Sequence, residues 1–135
     1  MKSILVRDYM TRKIVTLDQD MEIMAATRCL IDKNISGAPV LDSHGRLVGV
    51  LSERDCMKVA MHSGYHDVPY GLVRDYMSPN PESVTPEQSV LTVAEKFIHG
   101  RFRRYPVVDN GRLVGIISRR DVLSAMKKQH GMERL

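Results

Sequence analysis

Ser52 and Asp55, and again Ser118 and Asp121, place a hydroxyl and a carboxylate three residues apart. At the start of a helix such a pair has two uses. The serine can cap the helix while the acid one turn on bonds back to the serine's own N–H. Alternatively the hydroxyl bonds a phosphate oxygen over the outward-facing N–H groups of the helix start, and the carboxylate accepts both hydroxyls of a ribose cis-diol. Each such charge-assisted bond is worth about 1.5–3 kcal/mol. Spacing alone favours the cap, and both uses can hold, in the free and bound states. Arg54 and Arg120 follow the two serines by two residues, and Arg101, Arg103 and Arg104 crowd the segment RFRR. Guanidinium forks suit polyphosphate oxygens, and the formal net charge of +4 favours anionic ligands in general. Lys127 and Lys128 read as a solvated basic face.

Other chemistry is excluded or weak. There is no G-x-G-x-x-G, P-loop, zinc pattern or nucleophile elbow, so no enzyme is expected and no cofactor is required. His62 and His66 are four apart, but Gly64 interrupts the helix that would align them; with only Asp67 nearby, no metal site is expected. His44, His99 and His130 are isolated. The two cysteines, Cys29 and Cys56, read as small core residues. Hydrophobic residues at 43% and charged residues at 27% are normal for a globular protein with a real core. No apolar run approaches a membrane span, and the N-terminal apolar stretch is too short for a signal peptide, so a cytoplasmic location is expected.

The serine–aspartate pairs sit inside a duplication. GRLVGVLSERD (Gly45–Asp55) returns as GRLVGIISRRD (Gly111–Asp121), with eight of eleven positions identical. VRDYMT at Val6–Thr11 returns as VRDYMS at Val73–Ser78, an offset of 67 that holds through PVLD (Pro39–Asp42) and PVVD (Pro106–Asp109). It drops to 66 at Gly45 and Gly111, because Ser43-His44 is replaced by Asn110 alone. A hairpin turn is where such a loss is expected.

Each copy reads as strand, helix, strand, strand, helix. The first strand is the short IVTL or ESVT. Ile23, Ala26 and Leu30 share one helical face between Asp20 and Lys33, and Val90, Val93 and Phe97 do so in the second copy. Asp18 or Asp20 is expected to cap the first helix, and Thr85-Pro86 the other, with Gly100 at its end. The runs APVLD and RLVGVLS, then YPVVD and RLVGIIS, read as hairpins. ERDCMKVAMHSG and RRDVLSAMKKQHG read as the closing helices, ending at Gly64 and Gly131. The fold class is α+β with small α/β-type sheets: two β-α-β-β-α repeats at residues 2–61 and 71–128, a linker at 62–70 and a tail at 129–135. A unit this small cannot bury its sheet alone, so the repeats are expected to pack with pseudo-two-fold symmetry and leave a ligand cleft between them.

The order RDYMT…VTL…PVLD…GRLVGVLSERD, twice over, resembles a tandem pair of cystathionine β-synthase (CBS) domains, over nearly the whole chain. The resemblance implies a regulatory sensor, not an enzyme, that binds AMP, ADP, ATP or a related adenosyl ligand in inter-repeat clefts. It also implies a homodimer and signalling to an effector protein on another chain, as in stand-alone members. It assigns Ser52, Asp55, Ser118 and Asp121 to ribose and phosphate. It implies an adenine pocket lined by Val15, Thr16, Ser36, Gly37 and Ala38 for the site holding Asp121. For the site holding Asp55 the lining is Glu82 and Ser83, with Arg103, Arg104 and Tyr105. Arg103 and Arg104 stand where relatives place basic phosphate contacts, Arg54 and Arg120 join them as candidate phosphate contacts by their place two residues after each serine, and Met10 and Met77 of the lead-in read as core or dimer contacts. "SGA" against "RRY" makes the two sites unequal, the charge of Glu82 opposes a phosphate, and the Asp121 site is the more open. A different class of function, a basic nucleic-acid-binding protein, would use RFRR and Arg119-Arg120, but aromatics are only 5% and no stacking platform is evident. A ligand-free interaction adaptor is the third reading.

Overall fold

A proline stands in the second strand of each copy, Pro39 and Pro106, where it limits how far a parallel neighbour can pair. The computed structural model describes residues 4–63 and 70–129. The helix ends expected at Gly64 and Gly131, and His66, Asp67 and His130, lie outside the described residues. The chain divides into two compact units, one running Val15–Pro81 and the other joining Met1–Ile14 to Glu82–Leu135. They are called here the Ser52 unit and the Ser118 unit. Each unit therefore contains the RDYM lead-in that belongs, by sequence order, to the other repeat.

In the Ser52 unit the elements are β1 (Leu17–Asp18), α1 (Ile23–Lys33), β2 (Gly37–Leu41), β3 (Leu47–Ser52), α2 (Glu53–Ser63), α3 (Val73–Tyr76) and β4 (Ser78–Pro79). The sheet order is β1-β2-β3-β4, with β1 parallel to β2 and the other pairs antiparallel. The Ser118 unit has a short 3-10 turn at Val6–Asp8, then α4 (Val90–His99), β5 (Arg104–Asp109), β6 (Arg112–Ser118) and α5 (Arg119–Gln129). Single bridges, Val84 to Val107 and Thr11 to Ile116, stand where β1 and β4 stand in the other unit.

The first strand is thus shorter than IVTL and ESVT suggest. Leu17 pairs with Val40, so the next rung back falls at Pro39, which has no N–H to give. Pro106 stops the Val84 bridge in the same way. The expected helix caps also need correction. Asp18 accepts the Asp20 N–H at 2.7 Å and closes a turn, while Glu22 precedes α1 without a side-chain cap bond. Ser89, not Thr85, caps α4, its Oγ accepting the Leu91 N–H at 3.2 Å. It is the serine immediately before buried Val90, whereas the Thr85 N–H is taken by the Gln88 side chain. Gly100 does close α4.

The helical faces are as the spacing predicts. Ile23, Ala26 and Leu30 join Val40, Leu51 and Val59 in one core, and Val90, Val93 and Phe97 join Val107, Ile117 and Val122 in the other. Cys29 and Cys56 pack against the first of these, unlinked. No helix among the described residues is long and apolar enough to cross a membrane.

The repeated glycines have two physical causes. Gly45 and Gly111 take left-handed backbone, φ 76° and 81°. Asn110-Gly111, both at positive φ, make the two-residue turn between Asp109 and Arg112, while Ser43-His44-Gly45 make a three-residue one. That difference is the residue lost from the offset. At Asp42 the N–H groups of Arg46, first, and His44 hold the carboxyl below its usual range. Gly49 and Gly115 instead sit under the lead-ins. A Cβ on Gly115 would lie 2.8 Å from the Met10 sulfur and 2.9 Å from the Thr11 carbonyl oxygen; on Gly49 it would meet Met77 and the Ser78 carbonyl. Met10 and Met77 are accordingly partly buried, packed against the two cores. Because backbone cannot yield as a side chain can, Gly115→Ala is expected to cost about 1–3 kcal/mol in urea unfolding. An unchanged midpoint would show that the lead-in is not packed there.

Candidate functional site

Ser52 is the last residue of β3 and Ser118 the last of β6, and each is followed at once by a helix. Both pairs form the capping box. Asp55 Oδ2 accepts the Ser52 N–H at 2.9 Å and the Ser52 hydroxyl at 3.0 Å, while the Asp55 N–H donates to Ser52 Oγ at 3.2 Å. Asp121 Oδ2 accepts the Ser118 N–H at 2.8 Å, and its own N–H donates to Ser118 Oγ at 3.1 Å.

The two carboxylates differ in what else surrounds them. Asp55 is 4% exposed, and its second oxygen lies 3.4 Å from Lys58 Nζ. Asp121 is half-buried, and the residue at the Lys58 position is Ser124. Its second oxygen has no hydrogen-bond partner among the described residues. Asp55 is therefore spent inside its unit, whereas Asp121 keeps acceptor capacity for a donor arriving from solvent.

The strand pairing gathers very different neighbours at the two helix starts. Arg104 is the cross-strand partner of Ser118, and the Arg119 N–H donates to the Arg103 carbonyl at 3.2 Å. Arg103, Arg104, Arg119 and Arg120, all exposed, thus converge on the end of the hairpin that carries Ser118 and Asp121. The same backbone in the Ser52 unit pairs Gly37 with Ser52 and bonds the Glu53 N–H to the Ser36 carbonyl at 2.9 Å. There the side chains are Ser36, Gly37, Glu53 and Arg54, with formal charges that cancel. The residues brought together by the backbone thus include four arginines at the Ser118 helix start, and one arginine beside a carboxylate at the Ser52 start, so the first is the more favourable neighbourhood for a phosphate. Arg119 was not among the contacts implied by resemblance; its place directly after the serine is the signal that could have found it.

Other expected positions fall as follows. Tyr105 is not available as pocket lining: it is 2% exposed, its ring packs between Phe97 and Phe102, and its hydroxyl donates to the Lys96 carbonyl at 3.3 Å. Burial, with Glu82 adding and Arg119 opposing, pushes its phenol pKa up. Ala38 likewise lies in the core, because the three middle residues of β2 are all buried. Thr16, Glu82 and Ser83 are exposed and Val15 half-buried. Glu82 points toward Lys96, 3.9 Å away. The grouping of Val15, Thr16, Ser36, Gly37 and Ala38 with Asp121, and of Glu82, Ser83, Arg103, Arg104 and Tyr105 with Asp55, joins residues of different units. Within its own unit each set accompanies the other serine–aspartate pair. No three His, Cys, Asp or Glu among the described residues are grouped to hold a metal.

Comparison with known proteins gives the family of the chain. The CBS domain family model matches residues 6–62 and 73–128. An uncharacterized 17.7 kDa protein of Acidianus ambivalens is 31% identical over 124 residues, covering 91% of this chain and 73% of its own length. An uncharacterized protein of Methanocaldococcus jannaschii is 30% identical over 90% of this chain, which spans only 42% of that relative. Among solved structures, CBSX2 of Arabidopsis thaliana in complex with AMP superposes with a TM-score of 0.79 at 29% identity, over 93% of this chain and 98% of that one. A second CBS domain pair, in complex with 5-methylthioadenosine and S-adenosyl-L-methionine, gives 0.75 at 27% identity, over 95% and 99%.

Proposed function

The chain belongs to the CBS domain family, and from that membership we propose that it is a cytoplasmic regulatory module, not a catalyst, which binds an adenine nucleotide or related adenosyl ligand and passes its state to a partner protein. The observation that carries the reading is the gathering of Arg103, Arg104, Arg119 and Arg120 around Ser118 and the half-buried Asp121. Ser118 and the α5 N-terminus would take a phosphate or an equivalent polar group, and the arginines a longer phosphate chain. Asp121 would swing from cap to ribose, the Ser118 N–H then turning to the ligand. The bound AMP and adenosyl compounds of the CBSX2 and second CBS-pair structures support the ligand class.

Thermal unfolding against AMP, ADP, ATP, 5-methylthioadenosine and S-adenosylmethionine tests it. Saturation at about a hundred times Kd stabilises by about 2.7 kcal/mol, a rise of roughly 8 °C for a chain of this size. No response to any of the five would overturn the reading. The nucleic-acid alternative rests on the same arginines and predicts affinity that collapses with salt and ignores free nucleotide.

The homodimer is the second part of the proposal. The two units expose apolar side chains at equivalent repeat positions, Ile31 with Ile98 and Met57 with Leu123, each between 62% and 76% exposed. Large apolar side chains exposed at matching positions of both units support a surface that a second copy would cover.

A further inference from the structure

We infer, independently of the adenosyl reading, that the Ser52 unit carries a small-molecule site distinct from the one proposed at Ser118, and that it takes a free α-amino acid with an apolar side chain. A cavity of about 580 Å³ lies where the last turns of α2 meet α3, with Lys58, Met61 and His62 on one side and Asp75 and Tyr76 on the other. Tyr70 and Gly71, just before α3, complete its lining. The volume suits a small ligand. Tyr76 donates its hydroxyl to the Tyr70 carbonyl at 3.1 Å, and the His62 ring stands edge-on to Tyr76 with centroids 6.1 Å apart. Gly71 leaves room between them: a Cβ there would lie 3.0 Å from the Tyr76 ring and 3.3 Å from the Asp75 carboxylate. The other unit differs at each of these points. The Ile23 N–H donates to the Gly71 carbonyl as the Val90 N–H donates to that of Ile4, so Ile4 is the counterpart of Gly71, and it packs against its own core. Lys127 and Lys128 stand for Met61 and His62, and Ser124 for Lys58.

The polar groups of the cavity come in opposite signs. Asp75 gives Oδ2 to the Leu72 N–H at 2.8 Å, and its other oxygen has no hydrogen-bond partner among the described residues. That oxygen can accept from an ammonium group, and the phenol rings of Tyr70 and Tyr76 line the same cavity, where aromatic faces attract a cation. Lys58 and His62, one turn apart on α2, offer donors to a carboxylate. The Lys58 ammonium has three donors and lies 3.4 Å from Asp55 Oδ1, so it can serve a second acceptor. A simple amine leaves Lys58 unmatched and a simple acid leaves Asp75 unmatched; a zwitterion meets both. Met61, exposed and adaptable, can cover the apolar side chain.

Calorimetric titration and amide NMR of the full chain with L-phenylalanine and L-leucine test the site. At least one is expected to bind, shifting the amides of residues 58–62 and 70–76 and leaving those of 118–121 in place. Each charged end contributes a charge-assisted bond, so the amine and the acid analogues of the tighter binder, each lacking one end, should bind at least about tenfold more weakly. Asp75→Asn, whose amide oxygen still accepts the Leu72 N–H, and Lys58→Gln should each weaken the amino acid by about tenfold as well. No binding of either amino acid would overturn the proposal, as would an analogue that binds equally well or shifts confined to residues outside the cavity. The analogue comparison needs no variant, so a folding defect in Asp75→Asn leaves it decisive. AMP binding lost or kept in the same chain bears on the Ser118 site alone.

Discussion

Asp121→Ala is expected to lower affinity for an adenosyl ligand by about a hundredfold or more, while Asp55→Ala changes it by less than about threefold. A carboxylate that accepts two ribose hydroxyls contributes two charge-assisted bonds, and loss of roughly 2.7 kcal/mol in total corresponds to a hundredfold. The asymmetry comes from what each carboxylate already does. Asp55 is 4% exposed, accepts both Ser52 donors and has Lys58 at 3.4 Å from its other oxygen. Lys58 is itself largely exposed, so the ion pair adds little to stability; its effect is to occupy the oxygen a ribose would need. Asp121 has one donor on one oxygen, and the arginines beside it attract the phosphate end of the ligand. Calorimetric titration of both variants measures the difference. Equal losses would mean that burial and prior bonding do not decide which pair grips the ligand.

The second large effect is the reverse, on folding. Asp55→Ala should destabilise the chain by about 2–4 kcal/mol and Asp121→Ala by about 1 kcal/mol. Loss of a capping interaction costs about 0.5–2 kcal/mol at either site. At Asp55 the Ser52 N–H and hydroxyl are also left without their acceptor where water has little access, which adds about 1–3 kcal/mol. At Asp121 the half-open surroundings let water replace the lost acceptor. Urea unfolding of the two variants reads this directly, and coincident midpoints would count against it. Together the two variants separate a serine–aspartate pair that holds the fold from one proposed to hold a ligand, although both are spelled by nearly the same eleven residues.

How far the sequence alone reaches can be judged from particular residues. The helical triads Ile23/Ala26/Leu30 and Val90/Val93/Phe97 were legible because burial along a helix repeats with its turn, and duplication stated the pattern twice. The one-residue slip in the offset was legible as a turn, since only a loop tolerates it. The caps were less so: several acids or hydroxyls precede each helix, and the choice depends on where the first buried residue docks. Pro39 and Pro106 could have warned that the first strand would be short, but only with the parallel partner known. The capping-box use of both serine–aspartate pairs was legible from spacing. What spacing could not give is that Asp55 is covered and Asp121 is not, because burial is set by packing from elsewhere in the chain. Tyr105 misled for the same reason: its position in the strand looked like a site's edge, while its ring completes a core. Arg119 escaped because the resemblance points to positions the family shares, and this arginine replaces the Glu53 of the other repeat.

Native mass spectrometry of the purified chain, titrated with AMP and with S-adenosylmethionine, puts the proposed adenosyl-ligand site at Ser118 and Asp121 to the test. One ligand per chain is expected at low concentration, a second only at least tenfold higher, and the first absent in Asp121→Ala. No adenosyl ligand at any concentration, or a first site untouched by Asp121→Ala, would contradict it.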